Sequence, residues 1–404
     1  MVGLNIAVVG SGISGLSAAW LLSKKHDVTV FEAQSHFGGH SNTVDVADNK
    51  QSAPVDTGFI VYNTACYPNL TALFETLNVP VKDAPMSFSV SIDRGRYEYS
   101  GTGFNGLFGQ LKNLLNPWHW RMLLDISRFF KNASNCDLNA LPADMTLAEY
   151  LRHQGTHRYF IQRHILPMGA AIWSIPSEEV LNFPALSFLR FFANHGLLQI
   201  KNRPAWRTVE GGSRVYVDKL REDTQARFIG NNKIQRIRRH DTGVYLTLEN
   251  GLENRFDQVV IATHADQALG LLGDADDQEI SLLEKFGYSS NRTVLHTDSS
   301  LMPRRKNIWA SWNYVTDSEL HNDLPTTTYW MNSLQSLSTE TNYFVSLDPE
   351  HKVVSDTILY ETNYTHPVFD HAAVEAQKRL WSLQGRNRTW FCGSYFGYGF
   401  HEDG

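Results

Sequence analysis

Residues 4–33 read LNIAVVGSGISGLSAAWLLSKKHDVTVFEA, in the order strand, glycine turn, helix, strand. The apolar run 4–9 suits a buried parallel strand. Gly10, Gly12 and Gly15 then spell GxGxxG. In this motif the first glycine makes the tight turn, the second lets backbone approach a pyrophosphate, and the third lets helix and strand pack closely. The helix after the turn offers its N-terminal N–H groups and positive dipole end to the phosphates. Glu32 ends the second strand, where a carboxylate accepts hydrogen bonds from ribose hydroxyls and repels a 2′-phosphate. A bare glycine triplet is also found in other βα turns. The strand before it, the helix after it and the acidic residue beyond make this one a dinucleotide-binding unit.

A chain of 404 residues exceeds one ordinary core and is expected to form two domains. A net charge of −6 without a long basic run excludes nucleic acid as a natural partner. Cys66, Cys136 and Cys392 are widely spaced and outside any CxxC, so neither a disulfide framework nor a thiolate metal site is expected. A reducing, cytoplasmic setting is the matching expectation. The 16 histidines include no HxH, HExxH or Cys/His cluster, so no metal is expected, and GSGISG contains no GxSxG elbow. The N-terminus lacks a basic leader and its apolar run is broken by glycines, unlike a signal peptide. No apolar run reaches the length of a membrane span.

The residues just beyond the acidic strand separate FAD from NAD. FEAQSHFGGHSNTV (31–44) places Gly38-Gly39 shortly after Glu32. In this context it resembles the flavoprotein amine oxidase superfamily, whose pattern is an acidic residue, GG, usually Arg, then Ser or Thr. Four more segments match in order: PVDTGFIVYN (54–63), VEGGSRVYVDKL (209–220), the hairpin and strand 232–265 ending in Ala262-Thr263, and FCGSYFGYGFHEDG (391–404). The resemblance implies an α/β protein. Its FAD-binding, Rossmann-like domain of the glutathione-reductase type would comprise 1–65, 205–290 and 388–404. An α+β substrate domain with a mixed or antiparallel sheet and helices would comprise 66–204 and 291–387. It further implies FAD contacts from Gly10, Ser11, Gly12, Ile13, Ser14, Gly15, Glu32, Ala33, Gly39, His40, Ser41, Gly58, Phe59, Ile60, Ile234, Ala262, Thr263, Gly393, Ser394 and Glu402. His40 stands where the family usually has Arg, Asp403 in a usual Gly slot, and Tyr395 where an acidic residue is common. No cysteine holds the ring-facing position, so FAD is expected to be non-covalent. Glu402-Asp403-Gly404 is expected to be the first turn of a helix beneath the flavin.

In the second insert RTVLHT, IWASWNY, TTTYW and NYFVSL read as antiparallel strands, joined by a hairpin around Asp93-Arg94-Gly95. In the first, Leu107, Leu111, Leu114 and Leu115 fall at helical spacing, and Asn116-Pro117 opens a second helix. Stretch 104–131 is expected to be a lid with leucines packed inward. The alternative is an interfacial helix pair at the inner face of a membrane, Lys112, Arg121, Arg128 and Lys131 toward anionic lipid.

By position, Arg292 falls in or near the slot where many relatives hold a Lys by flavin N5, with His296 on the same strand face. Arg292 can orient but not act as a base; His296 can do both, or be a packed sheet residue. Tyr395 would line the flavin end of the substrate cavity. The fuller order resembles amine-oxidase-like flavoproteins often encoded beside cyclopropane-fatty-acyl-phospholipid synthases, which implies an acyl-chain substrate. Three functions are expected: an FAD-dependent oxidoreductase on an apolar substrate or lipid acyl chain, an amine oxidase, or a non-catalytic flavin-binding partner of a lipid methyltransferase.

Overall fold

The computed structural model describes residues 3–48, 51–142, 144–173, 177–199, 204–317, 325–349 and 353–404. Strand β1 (Asn5–Val9), helix α1 (Ile13–Leu22) and strand β2 (Asp27–Phe31) keep the order read from the sequence. They belong to a five-stranded sheet in the order 227–229, β2, β1, 258–261, 389–391, with every neighbouring pair parallel. Its inner strands are apolar on both faces, since crossover elements cover both sides. Ala7, Val8, Val28 and Val30 are fully buried. The sheet is assembled from chain stretches almost two hundred residues apart. Its C-terminal edge gathers four turns: 10–12, 32–41, 262–264 and 392–399.

A seven-stranded sheet runs in the order 358–368, 287–296, 344–347, 326–330, 312–316, 88–92, 97–100. Neighbours are antiparallel except 312–316 beside 88–92, where the two inserts meet. The expected hairpin turns at Asp93 and Arg94, both at φ 52°, and Gly95 at φ 77°, positive values that match the strand twist. Strand Gly287–His296 straddles the domain boundary expected at 290/291. Its partner Ile358–Val368, ILYETNYTHPV, was not expected from the sequence; its signal is Tyr360, Thr362, Tyr364 and His366 at period two.

Helix Pro117–Ser134 begins as expected: Pro117 occupies the first turn and the Asn116 side chain accepts from Trp118 N–H. Stretch 103–115 departs from expectation. It forms a short helix, Gly103–Leu107, and a 3₁₀ turn, Leu111–Leu115, instead of one continuous helix. Leu107 packs on the main core, but Leu111 is 76% and Leu115 89% exposed. Gly109, a poor continuer of a helix, breaks the stripe. Among the described residues no helix is long and apolar enough to cross a membrane.

Candidate functional site

The first turn forms a cradle with one open side. Gly10 takes φ +101°, and a Cβ there would lie 2.8 Å from the Ala262 carbonyl oxygen. A Cβ at Gly15 would overlap the Gly10 carbonyl, whereas one at Gly12 meets nothing within 4 Å. Among the described residues, the N–H groups of Gly12, Ile13 and Ser14 meet no acceptor. Glu32 accepts from Ser11 N–H at 3.0 Å, Ser11 hydroxyl at 2.5 Å and Gln34 N–H at 3.0 Å, which fixes its carboxylate beside the turn. Ala33 is exposed next to it. A helix start with free donors, a gap where a side chain would stand and an acidic rim fit a dinucleotide.

The next turns continue the trough. Gly39 takes φ +58° and lies against the Gly12 backbone; a Cβ at Gly58 would overlap the His40 carbonyl. Phe59 N–H donates to that carbonyl at 2.8 Å, and Ile60 carbonyl accepts from Thr208. Ala262 N–H donates to Val9, and Thr263 comes next at the end of strand 258–261. Gly393 and Ser394 open the last turn, where Ser394 carbonyl holds Gly397 and Gly399 N–H. Ile234 instead is buried in the main core.

Along this trough lies a group of imidazoles that, apart from His40, no sequence motif announces. The His40 ring sits 4.9 Å from Tyr364, 5.5 Å from His366 and 6.0 Å from His264. His401 stacks on Phe59 at 3.8 Å and contacts Tyr216 hydroxyl at 2.7 Å and Ser41 hydroxyl at 3.1 Å. Burial lowers His40 to about 3, helped by the neighbouring imidazoles His366, His264 and His401. It also lowers His401 to about 3, His366 to about 4, and His264 below its ordinary value. All four rings are therefore neutral at pH 7. His40 supplies no permanent cation in the family's Arg position. The four come from separate segments, 40, 264, 366 and 401, so no local spacing reveals them.

Position 291 faces this group and 292 does not. Asn291 Oδ1 accepts from His366 Nδ1 at 2.7 Å while its amide donates to Asp348 at 2.8 Å. That chain leaves Nε2 of neutral His366 as the acceptor. Arg292, on the opposite strand face, forms a bidentate pair with Glu361 at 2.7 and 2.8 Å, turned away from the histidines. His296 lies five residues along the strand from Asn291, about 17 Å away. Its Nε2 meets Ser346 at 2.8 Å, its Nδ1 accepts from Asp298 N–H, and burial lowers it to about 4: a packed sheet residue. Tyr395 is 1% exposed and packs on Phe286 and Phe396, inside the core instead of on a cavity wall. Glu402 is committed elsewhere as well. It accepts from Asn69 and Leu70 N–H, both at 2.9 Å, capping helix Pro68–Thr76, and residues 401–403 form a turn in which Gly404 N–H donates to Phe400 carbonyl at 3.3 Å, the bond of a first helical turn. Asn291→Ala should cost about 2–3 kcal/mol, because it strips buried polar partners. Arg292→Ala should cost less than about 1 kcal/mol. Thermal unfolding of both variants checks the order; a reversed order would make the outward pair the structural centre.

The family model described as flavin containing amine oxidoreductase matches residues 13–358. A Mycobacterium tuberculosis protein bearing the name flavin-containing monoamine oxidase AofH is 26% identical over 256 residues, 61% of this chain and 54% of that protein. The match thus spans about half the length of this curated relative. Among solved structures, the fatty acid isomerase of P. acnes that produces CLA superposes with a TM-score of 0.70 at 15% identity, covering 99% of this chain and 96% of that one. Putrescine oxidase bound to putrescine superposes with a TM-score of 0.68 at 13% identity, covering 99% and 96%. At such identities these likenesses speak for the fold alone.

Proposed function

The chain belongs to the flavin-containing amine oxidoreductase family, and from that premise we propose that it is an FAD-dependent oxidoreductase acting on an apolar substrate, with a lipid acyl chain as the substrate class. Segments 1–65, 205–290 and 388–404 hold the cofactor in this reading, and 66–204 and 291–387 the substrate. When bound, the flavin supplies the hydride acceptor for a substrate C–H bond. Gly12, Ile13 and Ser14 would hold its pyrophosphate and Glu32 its ribose. The neutral imidazoles would border the ring with donors and acceptors that carry no charge.

The observation that supports the apolar reading is the aromatic cluster where the C-terminal loop meets helix Ala185–Asn194. Phe191 stacks on Phe400 at 4.8 Å and meets Tyr398 at 6.5 Å. Non-covalent binding is supported by the cysteines: burial pushes the thiols of Cys392 and Cys66 up to about 12, far from the reactive thiolate. A second reading, oxidation of an amine, is favoured by the name of the M. tuberculosis relative. It needs an aromatic cage, and of the two tyrosines suited to one, Tyr395 is sealed in the core.

The test is acid precipitation and then anaerobic titration. Free FAD in the supernatant, and bleaching by an unsaturated acyl phospholipid, are the expected results. Flavin in the pellet would overturn non-covalent binding. Bleaching by a primary amine alone would establish the second reading, and bleaching by neither would point to a non-catalytic flavin holder.

A further inference from the structure

Seven of the fifteen exposed large hydrophobic side chains among the described residues lie within 104–124. They include Phe104, Leu111, Leu115, Trp118, Trp120 and Leu124. Isolated exposed apolar residues are ordinary, but a contiguous group marks an interaction surface. This group is continuous. Phe104 packs on Phe108 at 4.8 Å, Phe108 on Trp120 at 4.9 Å, and the Trp120 indole N–H donates to Leu114 carbonyl at 2.9 Å. The 3₁₀ turn is thereby locked to the helix behind it, so the leucines stand on a rigid base.

Within the stretch itself the exposed charge has one sign. Residues 101–136 contain Lys112, Arg121, Arg128 and Lys131 against a single carboxylate, Asp125, in a chain whose net charge is −6. Asp125 is buried behind Arg121 at 3.1 Å and Arg128 at 3.6 Å, so no carboxylate of this stretch faces outward. Along helix Pro117–Ser134 the exposed face changes from Trp118, Trp120 and Leu124 to Arg128 and Lys131. Tryptophan and leucine at one end with cations on the flank form the composition of an interfacial anchor.

We propose that residues 103–131 dock this protein onto an anionic lipid bilayer, with Leu111, Leu115 and Trp118 entering the acyl boundary and Lys112, Arg128 and Lys131 lying over anionic headgroups. The charge pattern selects this occupant, since a second copy would bring the same cations against themselves. The inference stands apart from the proposed reaction, because it concerns a surface and not the cofactor trough.

The experiment is co-sedimentation of the purified full chain with vesicles of phosphatidylcholine alone or phosphatidylcholine mixed with phosphatidylglycerol. Binding to the mixed vesicles, weakened by salt, is expected. Lys112→Glu and Lys131→Glu should each reduce it by at least about fivefold. Leu111→Glu with Leu115→Glu should reduce it at least about tenfold. These side chains are exposed, so the melting temperature of each variant should match the parent, which separates lost docking from lost folding. No binding to either vesicle, or binding indifferent to all four substitutions, would overturn the proposal. So would a dimer seen by light scattering that dissociates in the Leu111/Leu115 variant, since a second copy would then cover the face.

Discussion

Gly12→Ala should leave the fold at its parent stability and strip the protein of flavin, whereas Gly15→Ala should lose both. The two glycines belong to one motif but do different physical jobs. At Gly12 the backbone is extended, φ −65° and ψ −179°, a conformation alanine adopts freely, and a Cβ meets nothing of the protein within 4 Å. The added methyl matters only to whatever must come close there. Displacing a pyrophosphate from the helix N–H groups should weaken flavin binding by about 3 kcal/mol, roughly a hundredfold. At Gly15 the Cβ would overlap the Gly10 carbonyl and lie 3.1 Å from the Ala262 Cβ, so α1 cannot seat on the sheet. That overpacking against backbone should cost about 3 kcal/mol. Flavin absorbance of the purified variants and their thermal unfolding separate the cases. Flavin retained by Gly12→Ala would show that the gap beside the helix is not the phosphate site.

Acidification should unfold this protein between about pH 5 and pH 4. Burial lowers His40 and His401 to about 3, and His119, His195, His296 and His366 to about 4, from an ordinary 6.5. Below pH 6.5 the unfolded chain takes up these six protons and the folded chain does not, so stability falls with pH. Two carboxyls oppose it: burial raises Asp56 and Asp403 to about 6, so the fold takes up those protons before the unfolded chain. The net uptake on unfolding is about four protons near pH 5, or roughly 5 kcal/mol per pH unit. A stability of about 5–15 kcal/mol is spent within two or three units. Circular dichroism melts from pH 7 to pH 4 check this, and His195→Gln should flatten the slope by about one proton. A melting temperature independent of pH would refute it.

The dinucleotide turn was legible because its chemistry is local. Strand, glycines, helix and Glu32 fit in thirty residues, and each glycine answers to a backbone approach. The hairpin at Asp93-Arg94-Gly95 and the cap at Asn116-Pro117 were legible for the same reason. The imidazole group was not, since His40, His264, His366 and His401 meet only when four segments fold. The choice between Asn291 and Arg292 is a matter of strand parity. A one-residue change of register exchanges the two faces, and polar SSNR gives no apolar alternation to fix it. The leucines of 107–115 kept a helical spacing that the backbone abandons at Gly109-Gln110. Glu402 suited a first helical turn by composition, yet it serves the start of another helix more than three hundred residues upstream.

The scattered origin of the five-stranded sheet has a consequence for how the protein is born. β1 and β2 leave the ribosome early, but their partners in the sheet lie at 227–229 and 258–261. At about 5–20 residues per second the two early strands wait roughly 10 to 45 s for their neighbours. Through that interval Ile6, Val8, Val28 and Val30, all buried in the finished protein, have no sheet neighbour beyond one another. Nascent-chain exposure is therefore concentrated at the very segment that carries the glycine turn, and synthesis rate and chaperone supply become part of what sets the yield of folded protein.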